Sequence, residues 1–365
     1  MKFLSFFFLF LSTVTYAATN SIEIMSFNVE NLFDASKDEG KNDWTFLPSK
    51  TKGKKEECLK IKYDKYRNEC LETDWTEKKV KIKYKQIQKV VSRNGKKFPD
   101  LLALQEVENE SVVSGLAKQM GYSRSITTNG PDERGVDVAL LVKESDALKV
   151  VGFKEHIVEG ETLKGKPTRP VLEVELAIDG QPLVVFVNHW PSQSNPALSR
   201  LAAAKTVMSR VEKLLSDNSK TMIVVTGDFN TLDGDFPHPF FSGLLEGEKL
   251  VDINSTFMSD RSIDRKVKEK MPLGTYFYMP KMQWNMLDHF FVSQNMMDKK
   301  EWDADLHSFQ IYSPSFNQEA RIYRNGYLKN STVTGAPIGY RHTAKDAKKA
   351  GFSDHFPVIL EIKKN

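Results

Sequence analysis

The sequence predicts a folded α/β or α+β protein built around large β-sheets. Short apolar segments rich in branched residues recur along most of the 365 residues, and amphipathic helical patterns lie between them. Hydrophobic residues make up 40% and charged residues 27%, which is typical of globular rather than disordered proteins. Strands mixed with helices over this length indicate stacked layers around a buried core.

Eight segments have the length and composition of interior strands. They cover residues 22–28, 100–105, 136–142, 171–178, 183–188, 222–226, 286–292 and 356–362. Helical spacing of apolar residues predicts one helix between Pro196 and Ser216 and a shorter one over 109–120, which Gly121 would end. A third helical pattern lies within the lysine cluster 78–97, whose lysines we expect on the solvated face. Contact of some of them with phosphate is the alternative.

The N-terminus predicts export. Lys2 precedes an apolar run over residues 3–11, and small residues follow up to Ala18, as in a secretory signal peptide over 1–18. The run is too short for a permanent membrane anchor; the alternative is a buried N-terminal strand or helix. We expect a mature protein in the periplasm or secreted, without stable membrane insertion.

The two cysteines, Cys58 and Cys70, fit that compartment without proving it. An oxidising environment permits a bridge between them, and the alternative is two free thiols. The net charge of +4 suits a polyanionic substrate without defining one.

Polar residues follow or interrupt the apolar strands at six places. They are Asn28; Gln105 and Glu106; Asn188 and His189; Asp228 and Asn230; Asp288 and His289; and Asp354 and His355. Each alone is explained by a turn or by a buried, hydrogen-bonded histidine. If the sheets bring these strand ends together, carboxylates, amides and imidazoles converge where ligand sites of layered folds form.

The ordered set of motifs resembles the endonuclease/exonuclease/phosphatase superfamily, which includes deoxyribonuclease-I-like nucleases, sphingomyelinases and inositol-polyphosphate phosphatases. The motifs are SFNVENLF from Ser26, LQEV from Leu104, NHW from Asn188, GDFN from Gly227, LDHF from Leu287 and SDHFPV from Ser353. The resemblance is strongest to the secreted bacterial nucleases. It implies a four-layer sandwich of two packed mixed β-sheets flanked by helices. Residues 19–365 would form one domain with a lysine-rich insertion at about 42–74.

The resemblance also implies roles. Glu106, Asn28 and Asp354 would hold Mg²⁺, with Mn²⁺ or Ca²⁺ as alternatives. Asp228 would activate the attacking water, which Asn230 would position. His355, oriented by Asp288, would donate a hydrogen bond to the phosphoryl group, and His189 would be the second imidazole at the phosphate and a candidate general acid.

Two further residues are candidates for substrate binding. Asp137 matches a region where family members often place a catalytic residue, and the alternative is a structural role. Arg169 has the fork-shaped guanidinium that binds phosphate, and the alternative is a surface arginine. Arg200 is expected to brace the loop after His189, and His289 to point away from the site.

The function implied is hydrolysis of phosphodiester bonds by a monomeric nuclease acting on DNA, RNA or both. A lipid or small-phosphoester substrate, as for a sphingomyelinase, is the first alternative, and an inactive nucleic-acid-binding relative is the second. The cationic residues Arg321, Arg324, Lys329 and Arg341 favour a polyanion. The motif Tyr276–Phe277–Tyr278–Met279–Pro280 suits either bases or a membrane.

Overall fold

The computed structural model describes residues 20–93, 95, 97–323 and 331–365; the predicted signal peptide lies outside these ranges. The strands there are β1 (Ser21–Leu32), β2 (Leu101–Val107), β3 (Arg124–Thr127), β4 (Asp137–Val142), β5 (Leu148–His156), β6 (Val171–Ile178), β7 (Gln181–His189), β8 (Met222–Asp228), β9 (Leu250–Asp252), β10 (Tyr276–Tyr278), β11 (Gln283–Asn285), β12 (Asp288–Ser293), β13 (Trp302–Ile311), β14 (Gln318–Tyr323), β15 (Ser331–Pro337) and β16 (Val358–Lys364). The α-helices are α1 (Lys54–Leu59), α2 (Asp64–Glu72), α3 (Glu77–Val91), α4 (Glu110–Met120), α5 (Ala197–Asp217), α6 (Ile253–Ser259) and α7 (Arg265–Glu269).

Most strands pair into two six-stranded mixed sheets. The first has the order β13-β16-β1-β2-β4-β3 and the second β5-β6-β7-β8-β12-β9, while β10–β11 and β14–β15 form separate hairpins. On β1, Ile22 and Ile24 enter the apolar layer between the sheets, whereas Met25 and Phe27 face the layer under α3 and α4. Helix α5 covers the outer face of the second sheet. The predicted four-layer sandwich is therefore confirmed.

Strand direction brings the polar strand ends to one edge of the sandwich. β1 runs parallel to β2, and β7 runs parallel to β8, with His189 opposite Asp228. The antiparallel strand β12 begins at Asp288, opposite Asp228, and β16 begins shortly after His355.

The long predicted elements agree with the structure. Helix α4 begins where the Asn109 side chain accepts a hydrogen bond from the Val112 N–H, and it ends at Gly121, whose φ is 74°. Strand β5 was not predicted because it lies at a sheet edge, where exposed Val151 and Phe153 are interrupted by charged residues. In the described residues, no helix combines the length and apolarity needed to cross a membrane.

The predicted insertion contains α1 and α2, which a disulfide between Cys58 and Cys70 joins. Residues 54–72 are called the stapled module below. The buried ammonium group of Lys54 donates to the carbonyls of Leu47 and Thr73, both at 2.6 Å. The module is thus held by a covalent link and by buried hydrogen bonds, with little apolar core of its own.

The replacement of Cys58 and Cys70 by serine is expected to loosen the stapled module. A bridge closing a loop of this size contributes about 3 kcal/mol, so amide hydrogens of α1 and α2 should exchange roughly 100-fold faster. Hydrogen-exchange mass spectrometry measures this, and α4 is the internal control. Unchanged exchange in α1 and α2 would contradict the role assigned to the bridge.

Candidate active site

Asn28 joins the two sheets at the edge where the polar strand ends meet. Its Nδ2 group donates to Glu106 Oε1 at 3.1 Å and to Asp228 Oδ2 at 3.0 Å. Its Oδ1 accepts the Glu30 backbone N–H at 3.0 Å. The amide nitrogen, rather than the oxygen predicted to bind the metal, faces the two carboxylates, and the oxygen keeps one acceptor site beyond its bond to Glu30. In this arrangement Asn28 orients Glu106 and Asp228.

Two site residues adopt left-handed backbone conformations. Glu106 has φ 61° and Asn230 has φ 49°, conformations that cost about 1–3 kcal/mol for residues other than glycine. Asn230 is held there because its N–H donates to Asp228 Oδ1 at 2.9 Å and its Nδ2 to the Trp190 carbonyl at 3.2 Å. These strained backbone conformations therefore help to orient the Glu106 and Asn230 side chains toward the site.

Gly227 allows β7 and β8 to approach closely before Asp228. Its φ is 137°, and an added Cβ would lie 2.0 Å from the carbonyl oxygen of Asn188. The Asn188 side chain donates to the Thr226 carbonyl at 3.2 Å and accepts from Trp190 Nε1 at 3.0 Å. The role of Asn188 is thus structural, because its hydrogen bonds stabilise the backbone on either side of His189.

The two site histidines have opposite electrostatic environments. His355 Nδ1 lies 2.7 Å from Asp288 Oδ2, and its Nε2 lies 3.8 Å from Asp228 Oδ2. Burial opposes protonation of His355, but the Asp288 and Asp228 carboxylates outweigh it and raise its pKa well above the usual value. Burial, together with the positive charge of Arg169, lowers the pKa of His189 well below its usual value. These directions favour the charged form of His355 and the neutral form of His189.

The lowered pKa of His189 favours one of its two predicted roles. Its Nε2 lies 3.6 Å from Asp228 Oδ2 and 3.8 Å from Glu106 Oε1, which places it in the centre of the site. A neutral imidazole has no spare proton to give as a strong acid at neutral pH. His189 is therefore better suited to donate a hydrogen bond to a phosphoryl oxygen than to act as the general acid.

Glu106 and Asp354 supply the oxygen donors that a divalent cation needs. Both line the same cleft, and burial, followed by the charge of Glu106, raises the pKa of Asp354. The described residues contain no cluster of three His, Cys, Asp or Glu side chains arranged to enclose a metal. This donor set fits an ion such as Mg²⁺, which binds through one or two carboxylates and keeps several waters.

Arg169 lies at the site, as predicted for a substrate-binding residue. It is buried, its Nη2 donates to the Trp190 carbonyl at 2.6 Å, and its Nη1 lies 3.4 Å from Asp132 Oδ2. Arg134 also binds Asp132, through Nε at 3.1 Å and Nη2 at 2.8 Å. Both guanidinium groups line the cleft and add positive charge beside His189.

Three other residues lie outside the cleft lining. Asp137 is buried, and its Oδ1 accepts hydrogen bonds from Thr128 Oγ1 at 2.5 Å and the Gly130 N–H at 2.9 Å, which is a structural role. His289 faces Met286 and Asp252, as expected for the opposite face of β12. The predicted bracing by Arg200 is confirmed, because its Nη1 donates to loop carbonyls after His189 at 3.2–3.4 Å.

The site opens into a cleft of about 660 Å³. Its lining residues are Glu106, Arg134, Arg169, His189, Ser192, Gln193, Ser194, Asp228, Asn230, Leu232, Tyr276, Tyr278, Lys281, Gln283, Asn285, Leu287, Asp354 and His355. Acidic, imidazole and guanidinium groups thus share one cavity with the hairpin β10–β11.

The order of the motifs and this geometry agree with a family comparison. Residues 23–364 match the model of the Endonuclease/Exonuclease/phosphatase family. The chain belongs to this family. Its members are generally hydrolases that act on phosphoester bonds. A sequence comparison with curated proteins found no match.

Solved structures of low sequence identity share the family fold. A mannosyl-6-phosphatase of Bacteroides thetaiotaomicron has a TM-score of 0.52 at 14% identity, with 93% of this chain and 99% of that chain covered. The human nocturnin catalytic domain with bound sulfate has a TM-score of 0.52 at 14% identity, covering 94% and 95%. D. rerio TDP2 in complex with a single-strand DNA product has a TM-score of 0.51 at 12% identity, covering 94% and 99%.

Two charged residues behind the site, half-buried Glu30 and buried Lys83, have no role in the sequence-based predictions. Glu30 accepts the backbone N–H groups of Tyr340 and, at 2.9 Å, Asp354. Lys83 is fully buried, donates to the Phe352 carbonyl at 3.1 Å and lies 3.8 Å from the centre of the Tyr340 ring. The expectation that the α3 lysines are solvated is therefore wrong at Lys83. Its spacing of three residues from the apolar Val80 was the available signal.

The replacement of Asp288 by asparagine is expected to reduce turnover about 10²- to 10⁴-fold. The change removes the charge that holds His355 protonated, so the pKa of His355 falls. Activity that depends on the imidazolium is lost as pH rises through that pKa, and the alkaline limb of the pH–rate profile should move to lower pH.

The control for this prediction is Asp252→Asn. Asp252 lies outside the cleft, and its Oδ1 is 3.9 Å from Nδ1 of His289. This substitution should leave the profile in place. An unshifted profile in Asp288→Asn, with the fold intact by circular dichroism, would show that Asp288 does not set the charge of His355.

Proposed function

We propose that the protein is an exported, divalent-metal-dependent nuclease that hydrolyses phosphodiester bonds of DNA, RNA or both. The observation that supports this most directly is the convergence of Asn28, Glu106, His189, Asp228 and His355 within hydrogen-bonding or ion-pair distance in one cleft. Family membership supports the hydrolysis of a phosphoester.

The geometry gives each residue a part in the reaction. The imidazolium of His355 and the guanidinium of Arg169 stabilise negative charge on the phosphoryl oxygens, and neutral His189 donates a further hydrogen bond. Asp228, whose pKa is raised by burial, accepts the proton of the attacking water, which Asn230 helps to position. A divalent ion at Glu106 and Asp354 would polarise the phosphate and stabilise the leaving oxygen.

The cleft walls favour a nucleic acid over a small phosphoester. The hairpin β10–β11 brings Tyr276, Tyr278 and Lys281 to the cleft, and the Tyr276 ring centre lies 5.1 Å from that of His355. Aromatic rings beside a phosphate site stack on bases without sequence preference. Two of the cationic residues whose presence in the sequence favours a polyanion, Arg324 and Lys329, lie outside the part of the chain that the structure describes.

One observation favours a lipid phosphoester as the second candidate. Phe236 is 91% exposed and Leu273 is 82% exposed, and both are next to residues that contact the cleft lining. Phe236 follows Asp235, which accepts a hydrogen bond at 3.2 Å from Gln193 of the cleft lining. Leu273 precedes Gly274, whose backbone is so close to Asn285 of the cleft lining that an added Cβ would lie 2.4 Å from the Asn285 carbonyl oxygen. Exposed apolar residues beside a phosphoesterase site are compatible with contact to a lipid surface.

The purified mature protein should cleave plasmid DNA or RNA in the presence of Mg²⁺ or Mn²⁺ and lose this activity with a chelator. The parallel substrates are sphingomyelin and a phosphomonoester such as p-nitrophenyl phosphate. Glu106→Gln should reduce nucleic-acid cleavage by about three orders of magnitude because a ligand charge is lost. The matched control is Glu159→Gln, since Glu159 is exposed and outside the cleft. Hydrolysis of sphingomyelin alone, or of the monoester alone, would refute the nuclease.

Export predicts cleavage of the precursor close to Ala18. In a bacterial host, N-terminal sequencing of the protein from the periplasm or the medium should give a start near Ala18 or Thr19. Retention of Met1 in a cytoplasmic fraction would contradict export.

A further inference from the structure

The stapled module is fixed to the sandwich at the end that carries the site. Just before it, Phe46 stacks on Phe33 with ring centres 4.1 Å apart. Just after it, Trp75 Nε1 donates to the Phe33 carbonyl at 3.1 Å. Phe33 directly follows β1, the strand that carries Asn28. Together with the disulfide, these contacts make the module a firm extension of the edge where the strand ends meet.

The chain that leads into the module lies beside one wall of the cleft. Asn42 N–H donates to the Glu133 carbonyl at 2.6 Å, and Lys41 Nζ donates to the Gly130 carbonyl at 2.6 Å. These bonds tie the chain that leads into the module to the loop carrying Arg134. Arg134 itself lines the cleft.

The outer face of the module combines exposed tyrosines with lysines. Tyr63 is 64% exposed and Tyr66 is 55% exposed. The ammonium groups of Lys62 and Lys65 lie 5.8 and 5.6 Å from the centres of these two rings. Lys62 and Lys65 carry the charge of this face, since Asp64 between them pairs with Arg67; residues 62–67 have a net charge of 3 − 1 = +2 and the whole module 6 − 5 = +1. Exposed rings interleaved with cations are the combination that binds single-stranded nucleic acid.

We propose that the face formed by residues 62–66 binds the single-stranded part of a polynucleotide that extends from the cleft past Arg134. Tyr63 and Tyr66 stack on its bases, and Lys62 and Lys65 contact its phosphates. This inference rests on the proposed nuclease function and adds a substrate-binding surface to it. The guanidinium groups of Arg169 and Arg134 in the cleft, together with the lysines of this face, favour a polyanion that spans both, whereas a lipid bilayer would need only the exposed face.

The experiment compares long and short substrates in the double variant Tyr63→Ala/Tyr66→Ala. With a single strand of about 30 nucleotides, KM should rise roughly tenfold or more while kcat is unchanged, because stacking contributes to binding. With a strand of about 4 nucleotides, or with bis(p-nitrophenyl) phosphate, both constants should remain those of the wild type. Lys62→Gln/Lys65→Gln should raise KM for the long strand and weaken its dependence on salt.

The matched control is Phe153→Ala, which removes an equally exposed ring (53%) from the edge strand β5. Retained hydrolysis of bis(p-nitrophenyl) phosphate shows that each variant is folded. Wild-type constants on the long strand in both double variants would overturn the proposal while leaving the nuclease intact. Loss of binding to phosphatidylserine vesicles with unchanged cleavage of the long strand would overturn it in favour of a lipid surface. A wild-type enzyme that cleaves no nucleic acid would refute the proposed function itself, and this inference with it.

Discussion

The hydrogen bonds of Asn28 connect the two halves of the structure. One amide group donates to Glu106 in its own sheet and to Asp228 in the facing sheet, residues that are 78 and 200 positions away in the chain. Both carboxylates are thereby held around one point, although they belong to different layers. The sandwich can satisfy this constraint because β1 is parallel to β2 and β7 is parallel to β8, so the strand ends meet at one edge. The tight approach at Gly227 and the left-handed backbone of Glu106 follow from the same requirement.

The two imidazoles of the site, His355 and His189, have different electrostatic environments. Asp288, 2.7 Å from His355, raises the pKa of that imidazole, while burial and the positive charge of Arg169 lower the pKa of His189. A phosphoryl group between them would meet one fixed positive charge and one neutral donor. Such fixed dipoles and charges stabilise a transition state without reorganisation at the moment of reaction. The arrangement also leaves Asp228 as the group positioned to accept a proton.

The sequence predicted the fold and most of the site because both depend on patterns that are local. Interior strands are continuous apolar runs, and the polar residues that end them are conspicuous. Roles that depend on side-chain orientation could not be predicted in this way. Asn28 turns its amide nitrogen, not its oxygen, to the carboxylates, and Asp137 turns away from the cleft to hold Thr128. The edge strand β5 was missed because its exposed face lacks the apolar continuity of an interior strand.

Lys83 is a buried charge that supports the site without lining the cleft. A buried ammonium group is costly unless it is compensated, and burial lowers the pKa of Lys83 to about 8 against the opposing charge of Glu30. Glu30 in turn accepts the backbone N–H of Asp354. The position of Asp354 therefore depends on a carboxylate and an ammonium group that do not reach the cleft. Because like charges of Glu106 and Asp354 would otherwise repel each other in a partly buried site, the cation on α3 helps to keep both carboxylates facing the same cavity. A helix whose sequence predicted only a solvated lysine face thus takes part in shaping the site.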